Sequence, residues 1–372
     1  MRVLELLASP VWTGPAEPMA SVSRELARRG HEVELAVDTR REGDLRERLT
    51  ALGFPPRTDL ALSTKGGPLD LVRDLARLRG AARDFDVVHA NFSHDHALAV
   101  LAVDRGRSRV VRTVHSARSL RDRGLQGWAH RRTDGLLAVC ASHAALLRER
   151  FRIPAERVGL ARGAVDAEAF SPDGPDLRGE LSIPAGAPVV GIVSRVKPDR
   201  RHAELVDAFG RVASRLPDAR LVIVGRGEGL ADLRAHVARS GLADRVVFAG
   251  YRTGPELAAA YRTLDAKVLL AEGNDGTCRA LLEAMACGRP GVAWAFGAPA
   301  ESIVHGITGL LAPPDDVAAL GDAIVEVLSL PDRGRAMGAA ARERMRTEFT
   351  GAARGRAVEA FLERVRRLPP VT

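Results

Sequence analysis

Short runs rich in Val, Leu and Ala alternate along the chain with longer stretches in which apolar residues return every three or four positions. Runs of roughly four to eight residues without polar alternation are the pattern of strands buried on both faces, and the longer stretches are that of amphipathic helices. Strands are predicted at 2–8, 32–38, 86–91, 109–115 and 135–140, with a helix at 16–30 whose stripe of Met19, Val22 and Leu26 closes on Gly30. Near Phe170-Ser-Pro-Asp-Gly-Pro-Asp the alternation breaks, and it restarts at Pro188-Val-Val-Gly-Ile-Val. The second series predicts strands at 188–193, 220–225, 245–250, 266–271 and 291–294, and helices at 200–215, 228–240, 254–264, 277–287 and 314–329. A last helix is predicted at 351–366. Such alternation builds parallel sheets covered by crossover helices. The expected division is a first domain over 1–170, a linker over 171–187, a second domain over 188–350 and a C-terminal helix, 351–372, packing back on the first domain. Doubly wound domains bind ligands at the carboxyl ends of their strands, so a site in the cleft between the two is expected.

At 372 residues the chain has material for two domains, each with its own core. Its ordinary hydrophobic content excludes a disordered chain. Cys140, Cys278 and Cys287 form no Cys-x-x-Cys pair and join no Cys/His cluster, so reduced thiols without structural zinc are expected. The N-terminus enters the strand-like Arg2-Val-Leu-Glu-Leu-Leu-Ala without a signal-peptide pattern, and no apolar run approaches the roughly 18 residues of a membrane span. A cytoplasmic protein, soluble or peripheral, is the expectation. The net charge of +8 rests almost wholly on arginine, since Lys65, Lys197 and Lys267 are the only lysines among 55 basic residues. GC-rich coding accounts for that bias, and no nucleic-acid partner is expected. The charge is uneven, however: residues 101–150 hold 11 Arg against four acids.

The densest chemistry lies in Glu272-Gly-Asn-Asp-Gly-Thr-Cys-Arg-Ala-Leu-Leu-Glu-Ala-Met-Ala-Cys-Gly-Arg-Pro, directly after a strand. Asp275 and Gly276 stand at a helix start, where the backbone N–H groups of Gly276 and Thr277 are open to anionic or hydroxyl oxygens. At a rise of about 1.5 Å per residue, the step from Asp275 to Glu283 spans about 12 Å. Carboxylates that split glycosides stand roughly 5–9.5 Å apart, so these two suit opposite ends of one extended ligand. A second stretch, Gly191-Ile-Val-Ser-Arg-Val-Lys-Pro-Asp-Arg-Arg-His, brings Arg195, Lys197 and Arg200 to a strand end, where two cations can clamp a diphosphate. A third, Leu221-Val-Ile-Val-Gly-Arg-Gly-Glu-Gly, contains Gly225 but lacks dinucleotide spacing, and the next strand ends in Gly250-Tyr251 without a ribose-binding acid. A tight turn without ligand contact explains it as well as a nucleotide does. His94 and His96 do not share a helix face, and Asp315-Asp316 reads as a helix start, so no metal site is expected.

These stretches together resemble the retaining glycosyltransferases of family 4, whose signature is Glu, seven residues, Glu, then Ala-Met-Ala-x-Gly-x-Pro. The resemblance implies an α/β protein of GT-B architecture, two doubly wound Rossmann-like domains facing each other across a cleft. It implies that Glu283 binds ribose hydroxyls, and that position 275, with the amides of Gly276 and Thr277, binds the donor sugar. The family has Glu where this chain has Asp275, which leaves the sugar open. Arg195 matches the Arg of the family's Gly-Arg-x-x-x-x-Lys-Gly and Arg200 falls on its Lys, with Lys197 a rival for that second role. The glycine run at Gly225 lies near the nucleotide in the family, and Tyr251 and Arg252 follow the stretch that meets the base.

In the first half, His115 of Thr113-Val-His115 falls on a histidine placed against the donor sugar, while Asp86-Val-Val-His89 matches a stretch read as packing. Thr13-Gly14-Pro15-Ala16-Glu17 and Arg28-Arg29-Gly30-His31-Glu32-Val33 match the family's Gly-Gly-Ala-Glu loop and Arg-Gly-His-Glu-Val, which puts Gly14 and Pro15 on the acceptor side. Arg162-Gly163-Ala164-Val165-Asp166 replaces Asn-Gly-Val-Asp.

The implied activity is transfer of a hexosyl group from a nucleotide-sugar donor to a glycan or lipid-linked acceptor of the cell envelope, with retention of configuration and with neither cofactor nor metal. Arg195, Arg200 and the helix start at Gly276 would stabilise the leaving diphosphate. For such an acceptor, the nine arginines from Arg105 to Arg132, with Leu120, Leu125 and Trp128 among them, read as a surface for anionic lipid on the inner face of the cell membrane. Two alternatives stay open: a nucleotide-sugar 2-epimerase of the same fold, and a non-catalytic partner protein, since Asp275, Pro15 and Arg162 depart from the pattern.

Overall fold

The computed structural model describes residues 1–121, 124–273 and 275–371, with the backbone alone for 275–277 and Pro331. The chain divides into two compact units, Met1–Gly163 with Gly351–Thr372, and Ala164–Thr350. The first unit holds β1 (Arg2–Leu7), β2 (Glu32–Val37), β3 (Val87–Ala90), β4 (Arg109–Val114), β5 (Gly135–Ala138) and β6 (Val158–Leu160). The second holds β7 (Val189–Val193), β8 (Arg220–Val224), β9 (Val246–Gly250), β10 (Ala266–Leu269), β11 (Gly291–Trp294) and β12 (Gly309–Ala312). Every neighbouring pair is parallel. The strands are apolar because helices cover both faces of each sheet, as the unbroken Val/Leu runs require.

The first sheet runs β2-β1-β3-β4-β5-β6 and the second β12-β11-β10-β7-β8-β9. The order therefore reverses between β1 and β3 in one unit and between β10 and β7 in the other. At such a point the two following connections leave for opposite faces of the sheet and open a crevice at the carboxyl ends of the strands.

Two short edge strands, β6 and β12, were not anticipated. β6 has only three residues, too few to stand out as an apolar run, and β12, the same Gly-Leu-Leu-Ala as β5, is cut off by Pro313-Pro314 where β5 runs on into Val139-Cys140. The stretch expected as a linker, 171–187, belongs to the second unit. Leu177, Ile183 and Ala187 are buried in a core with Val189, Tyr261 and Leu264, and the Leu177 amide donates to Thr263 Oγ1 at 2.8 Å. Leu and Ile among the prolines and glycines were its buried anchors.

The C-terminal helix Gly351–Arg367 is part of the first unit. Its Val358, Phe361, Leu362 and Val365 cover the sheet face made by Val3, Val87, Val111 and Leu137. Phe361 reaches the backbone of the sheet because β5 and β6 present glycine there: a Cβ on Gly159 would lie 2.4 Å from its ring, and one on Gly135 2.9 Å. Phe361→Ala should therefore open a cavity no neighbour can fill and destabilise this unit by about 3–5 kcal/mol. Urea denaturation followed by far-UV circular dichroism checks this, and a loss under about 1 kcal/mol would show that the helix is only loosely attached.

Candidate functional site

In the second unit a cavity of about 780 Å³ opens at the carboxyl ends of β7, β8 and β9. Its walls come from the segments just past those strands, from the helix Gly254–Thr263 and from one face of the helix Asp275–Ala286. The segments after β7 and β8 continue side by side: the Ser194 amide donates to Val224 O at 3.0 Å and the Val196 amide to Arg226 O at 3.1 Å. This closeness explains the glycines. A Cβ on Gly225 would stand 1.9 Å from Ser194 O, and one on Gly227 2.2 Å from Val196 O. Gly225, at φ +148, also spends its N–H on Gly250 O at 2.8 Å. Its amide is thus committed to the protein, and the glycine run serves the close approach of two loops.

The cavity brings together Arg195, Lys197, Gly225, Tyr251, Arg252 and Glu283 of the residues singled out from sequence. Arg195 is exposed, and among the described residues its guanidinium makes no hydrogen bond or ion pair, although its charge acts on Glu228 through space. Lys197 Nζ pairs with Glu228 Oε1 at 3.0 Å. The Glu228 carboxyl is held below its ordinary range by its own backbone N–H and then by Lys197. Arg200 sits on the short turn Pro198–Arg200, 3.9 Å from Asp199 Oδ1, and is not among the residues lining this cavity; Lys197, its rival, is. The helix start at Asp275 falls where the sequence put it. The side chains of Asp275 and Thr277, and the surroundings of Gly276, lie outside the described residues.

Glu283 lines the cavity but is itself buried. Its Oε2 accepts from the Tyr261 hydroxyl at 2.7 Å, and Arg279 Nε stands 3.8 Å from its Oε1. Burial, followed by the charge of Glu283, pushes the Tyr261 hydroxyl well above its usual pKa, so it remains a donor. Tyr251 is exposed at the rim with the Arg226 guanidinium stacked on its ring at 4.3 Å, a flat surface suited to a planar base. Arg252 is turned to the protein: Nε donates to Ala249 O at 3.0 Å, and the guanidinium also holds Glu180. Tyr261, Arg226 and Glu228 were not anticipated. Of these only Tyr261 left a signal, as the bulkiest residue on the helix Gly254–Thr263.

In the first unit, a buried network joins the carboxyl ends of β1, β3 and β4. Glu5 Oε1 meets His89 Nδ1 at 2.8 Å, and His89 Nε2 meets Thr113 Oγ1 at 2.8 Å. Asn91 Nδ2 donates to Glu5 Oε2 at 3.0 Å and to Leu6 O at 3.1 Å, leaving its Oδ1 to accept from His115 Nε2 at 3.1 Å. His115 therefore carries its proton on Nε2. Gly14 and Pro15 stand just before the helix Ala16–Arg28, where Thr13 O accepts the Ala16 amide at 3.0 Å. His96 and His94 do not converge: His96 Nε2 meets Thr133 Oγ1 at 2.6 Å and its Nδ1 accepts from Arg112 at 2.8 Å.

The basic segment from Arg105 to Arg132 is not one exposed surface. Arg112 and Leu120 are buried, while Arg105 and Arg109 donate to Val100 O and Leu368 O. Arg107, Arg118, Arg121, Arg131 and Arg132 are exposed with Leu125; Arg123 lies outside the described residues. β4 is buried on both faces, so its mid-strand Arg112 is enclosed, which composition alone could not show. Among the described residues, no helix is long and apolar enough to cross a membrane and no group of His, Cys, Asp and Glu is placed to hold a metal.

Residues 173–344 match the family of glycosyl transferases group 1, and residues 16–169 match glycosyltransferase family 4. The chain is 32% identical over 285 residues to a GDP-mannose-dependent alpha-(1-6)-phosphatidylinositol monomannoside mannosyltransferase of Mycobacterium tuberculosis, covering 74% of this chain and 68% of that one. It is 30% identical over 253 residues to a 2-deoxystreptamine glucosyltransferase of Streptomyces kanamyceticus, covering 67% of this chain and 64% of that one. The match thus spans about two thirds of these relatives' length. Among solved structures, an Anabaena protein, HepE, in complex with UDP-glucose shares the fold with a TM-score of 0.80 at 20% identity, over 98% of this chain and 99% of that one.

Lys267 lies mid-strand on β10, fully buried, with Gly191 and Gly291 opposite it on the neighbouring strands and Nζ donating to Val268 O at 2.6 Å. Burial lowers its pKa to about 7, against the charge of Glu283, which raises it. An unfolded lysine titrates near about pH 10.4. Between about pH 7 and 10 the unfolded chain thus holds a proton the folded chain lacks, so stability from this group rises with pH; below pH 7 both forms are charged and the penalty is constant. Lys267→Met should stabilise the protein by about 2–4 kcal/mol at pH 7, an advantage that shrinks towards pH 9.5. Paired urea titrations at the two pH values check this; an equal difference at both would contradict it.

Proposed function

Because this chain belongs to the glycosyltransferases of group 1 and family 4, we propose that it transfers a hexosyl unit from a nucleotide-sugar donor to an acceptor with retention of anomeric configuration. The observation that carries the reading is Glu283. It is a buried carboxylate held from behind by Tyr261 and facing a cavity that also offers Arg195, Lys197 and the Tyr251–Arg226 stack. A carboxylate so placed accepts from a vicinal diol, as the ribose of a nucleotide provides, while the cations meet a diphosphate and the aromatic plane meets a base. A uridine or guanosine diphosphate donor is in keeping with the named ligands of its relatives.

In the reaction the anomeric carbon breaks its bond to the diphosphate as the acceptor oxygen bonds to the same carbon on the same face, and the acceptor's hydroxyl proton passes to the departing diphosphate oxygen. The departing charge falls on Arg195, Lys197 or Arg200 and the helix start at Gly276, so no divalent cation is invoked. Asp275 and His115 are assigned to the sugar, with His115 oriented by Asn91, and Gly14 and Pro15 to the acceptor. The acceptor is assigned to glycans or lipid-linked molecules of the cell envelope, reached from the cytoplasmic side.

Glu283→Ala should weaken binding of the preferred nucleoside diphosphate by on the order of tenfold to a hundredfold, the size of losing hydrogen bonds to a charged group. Asp275→Asn should instead depress turnover and leave that affinity nearly intact. Isothermal titration with UDP and GDP beside a donor-hydrolysis assay reads both; if Asp275→Asn loses affinity as much as turnover, it acts on the nucleotide. For the membrane assignment, the protein should sediment with phosphatidylglycerol vesicles and not with phosphatidylcholine ones. Moderate salt should release it, and changing Arg118, Arg121 and Arg123 together to Glu should abolish the binding. Failure to sediment at low salt would leave a soluble acceptor as the better reading.

A further inference from the structure

The second unit has another cavity, of about 550 Å³, at the opposite ends of its strands. It opens where β7, β10 and β11 begin and is walled by Arg178, Arg289 and Arg335, with Asp265 as its single carboxylate. That carboxylate is already engaged. Asp265 Oδ2 accepts the Val189 amide at 2.7 Å and Arg178 Nη2 at 2.9 Å, while Arg178 Nη1 donates to Ala187 O at 2.8 Å. Arg178 is thus held in place with donors to spare. Arg335 stands on the helix Pro331–Thr347 with its guanidinium on Asp332.

Arg289 is different. It follows Gly288, whose φ of +73 makes the turn out of the helix Asp275–Ala286, and its side chain is mostly sunk in the cavity wall. Among the described residues its guanidinium has no hydrogen-bond or ion-pair partner, and its Nε is shut off from solvent with no acceptor. Burial holds its pKa below the ordinary arginine value. The charge of Asp265 reaches it through space, but that carboxylate is already bound by Arg178, so the sunken guanidinium keeps unused donors, and such a fork matches phosphate oxygens in pairs. Close backbone approach also fixes the turn that carries it: a Cβ on Gly338 would lie 2.0 Å from Gly288 O, so the helix Pro331–Thr347 presses directly on the backbone before Arg289.

We propose that this cavity is a second anion site, distinct from the one at Glu283, in which Arg289 with Arg178 and Arg335 binds a phosphate group, either free or carried on a small metabolite as a phosphomonoester. The site does not depend on the glycosyl-transfer reading, because none of its residues lines the other cavity.

The test uses the full chain with Arg195 and Lys197 both changed to Ala, which removes the cations of the other cavity. Titration calorimetry with inorganic phosphate and with glycerol phosphate should show saturable binding in this background. Arg289→Met, which keeps the apolar stem, should weaken it by on the order of tenfold or more, and Arg335→Ala, an exposed change, severalfold. Melting curves without ligand establish that each variant is folded. Binding of phosphate alone assigns a free ion, and binding of both assigns a phosphomonoester. Absence of saturable binding in the Arg195/Lys197 background, or unchanged affinity in a folded Arg289→Met protein, overturns the site.

Discussion

A parallel strand covered by helices on both faces can present chemistry only at its ends, and the second unit is arranged around that constraint. Its cavity side chains enter after a strand has finished: Arg195 and Lys197 after β7, Glu228 after β8, Tyr251 after β9, and Glu283 on the helix that follows β10. The reversal of strand order between β10 and β7 keeps that end open, since connections on its two sides depart for opposite faces. Gly225 and Gly227 then let two of these segments run at backbone contact, which brings their side chains to a common wall.

Charged groups inside the sheets are the exceptions, and the two units treat them differently. In the first, Glu5 and Arg112 lie buried but enter side-chain networks, although Arg112 Nε has no acceptor. Thr133 Oγ1 donates to Ala129 O, so His96 must donate to it from Nε2 and can accept from Arg112 on Nδ1. Burial, then the charge of Arg112, keeps His96 far below its usual pKa, consistent with that neutral tautomer. Burial likewise raises the Asp95 carboxyl to about 7, although the amides of Ala8 and Phe92 donate to it. Lys267 in the second unit has only a carbonyl. Its electrostatic partner is Glu283, so a residue of the sheet interior is tied to the carboxylate that faces the cavity.

What the sequence made legible follows from locality. Strand runs, the helix start at Asp275 and the loop of Arg195 and Lys197 are each contained in a short segment, and each lies where it was read. The pairings were not contained in any segment. Tyr261 and Glu283 are 22 residues apart, Asn91 and His115 24, and Glu5 and Asn91 86, so no spacing rule reaches them. The same holds for the enclosure of Arg112 and for the anchoring of 171–187, which depend on what packs against a side chain. Composition read the first as surface and the second as linker.

The two cations at the cavity mouth are not equivalent, and the difference bears on how a diphosphate would be received. Among the described residues Arg195 makes no ion pair and acts on Glu228 only through space, whereas Lys197 is bound directly to Glu228, whose side chain is more than half exposed. An exposed ion pair of this kind is weak and is readily exchanged for a better anion. A diphosphate arriving at Arg195 would draw Lys197 from Glu228, since a phosphate carries more charge than the carboxylate it displaces. Released, Glu228 would add negative charge beside the product, and the pair would re-form as the nucleotide leaves. At Lys197, binding would thus replace one salt bridge with another, whereas at Arg195 it would add an ion pair to an exposed cation that has none.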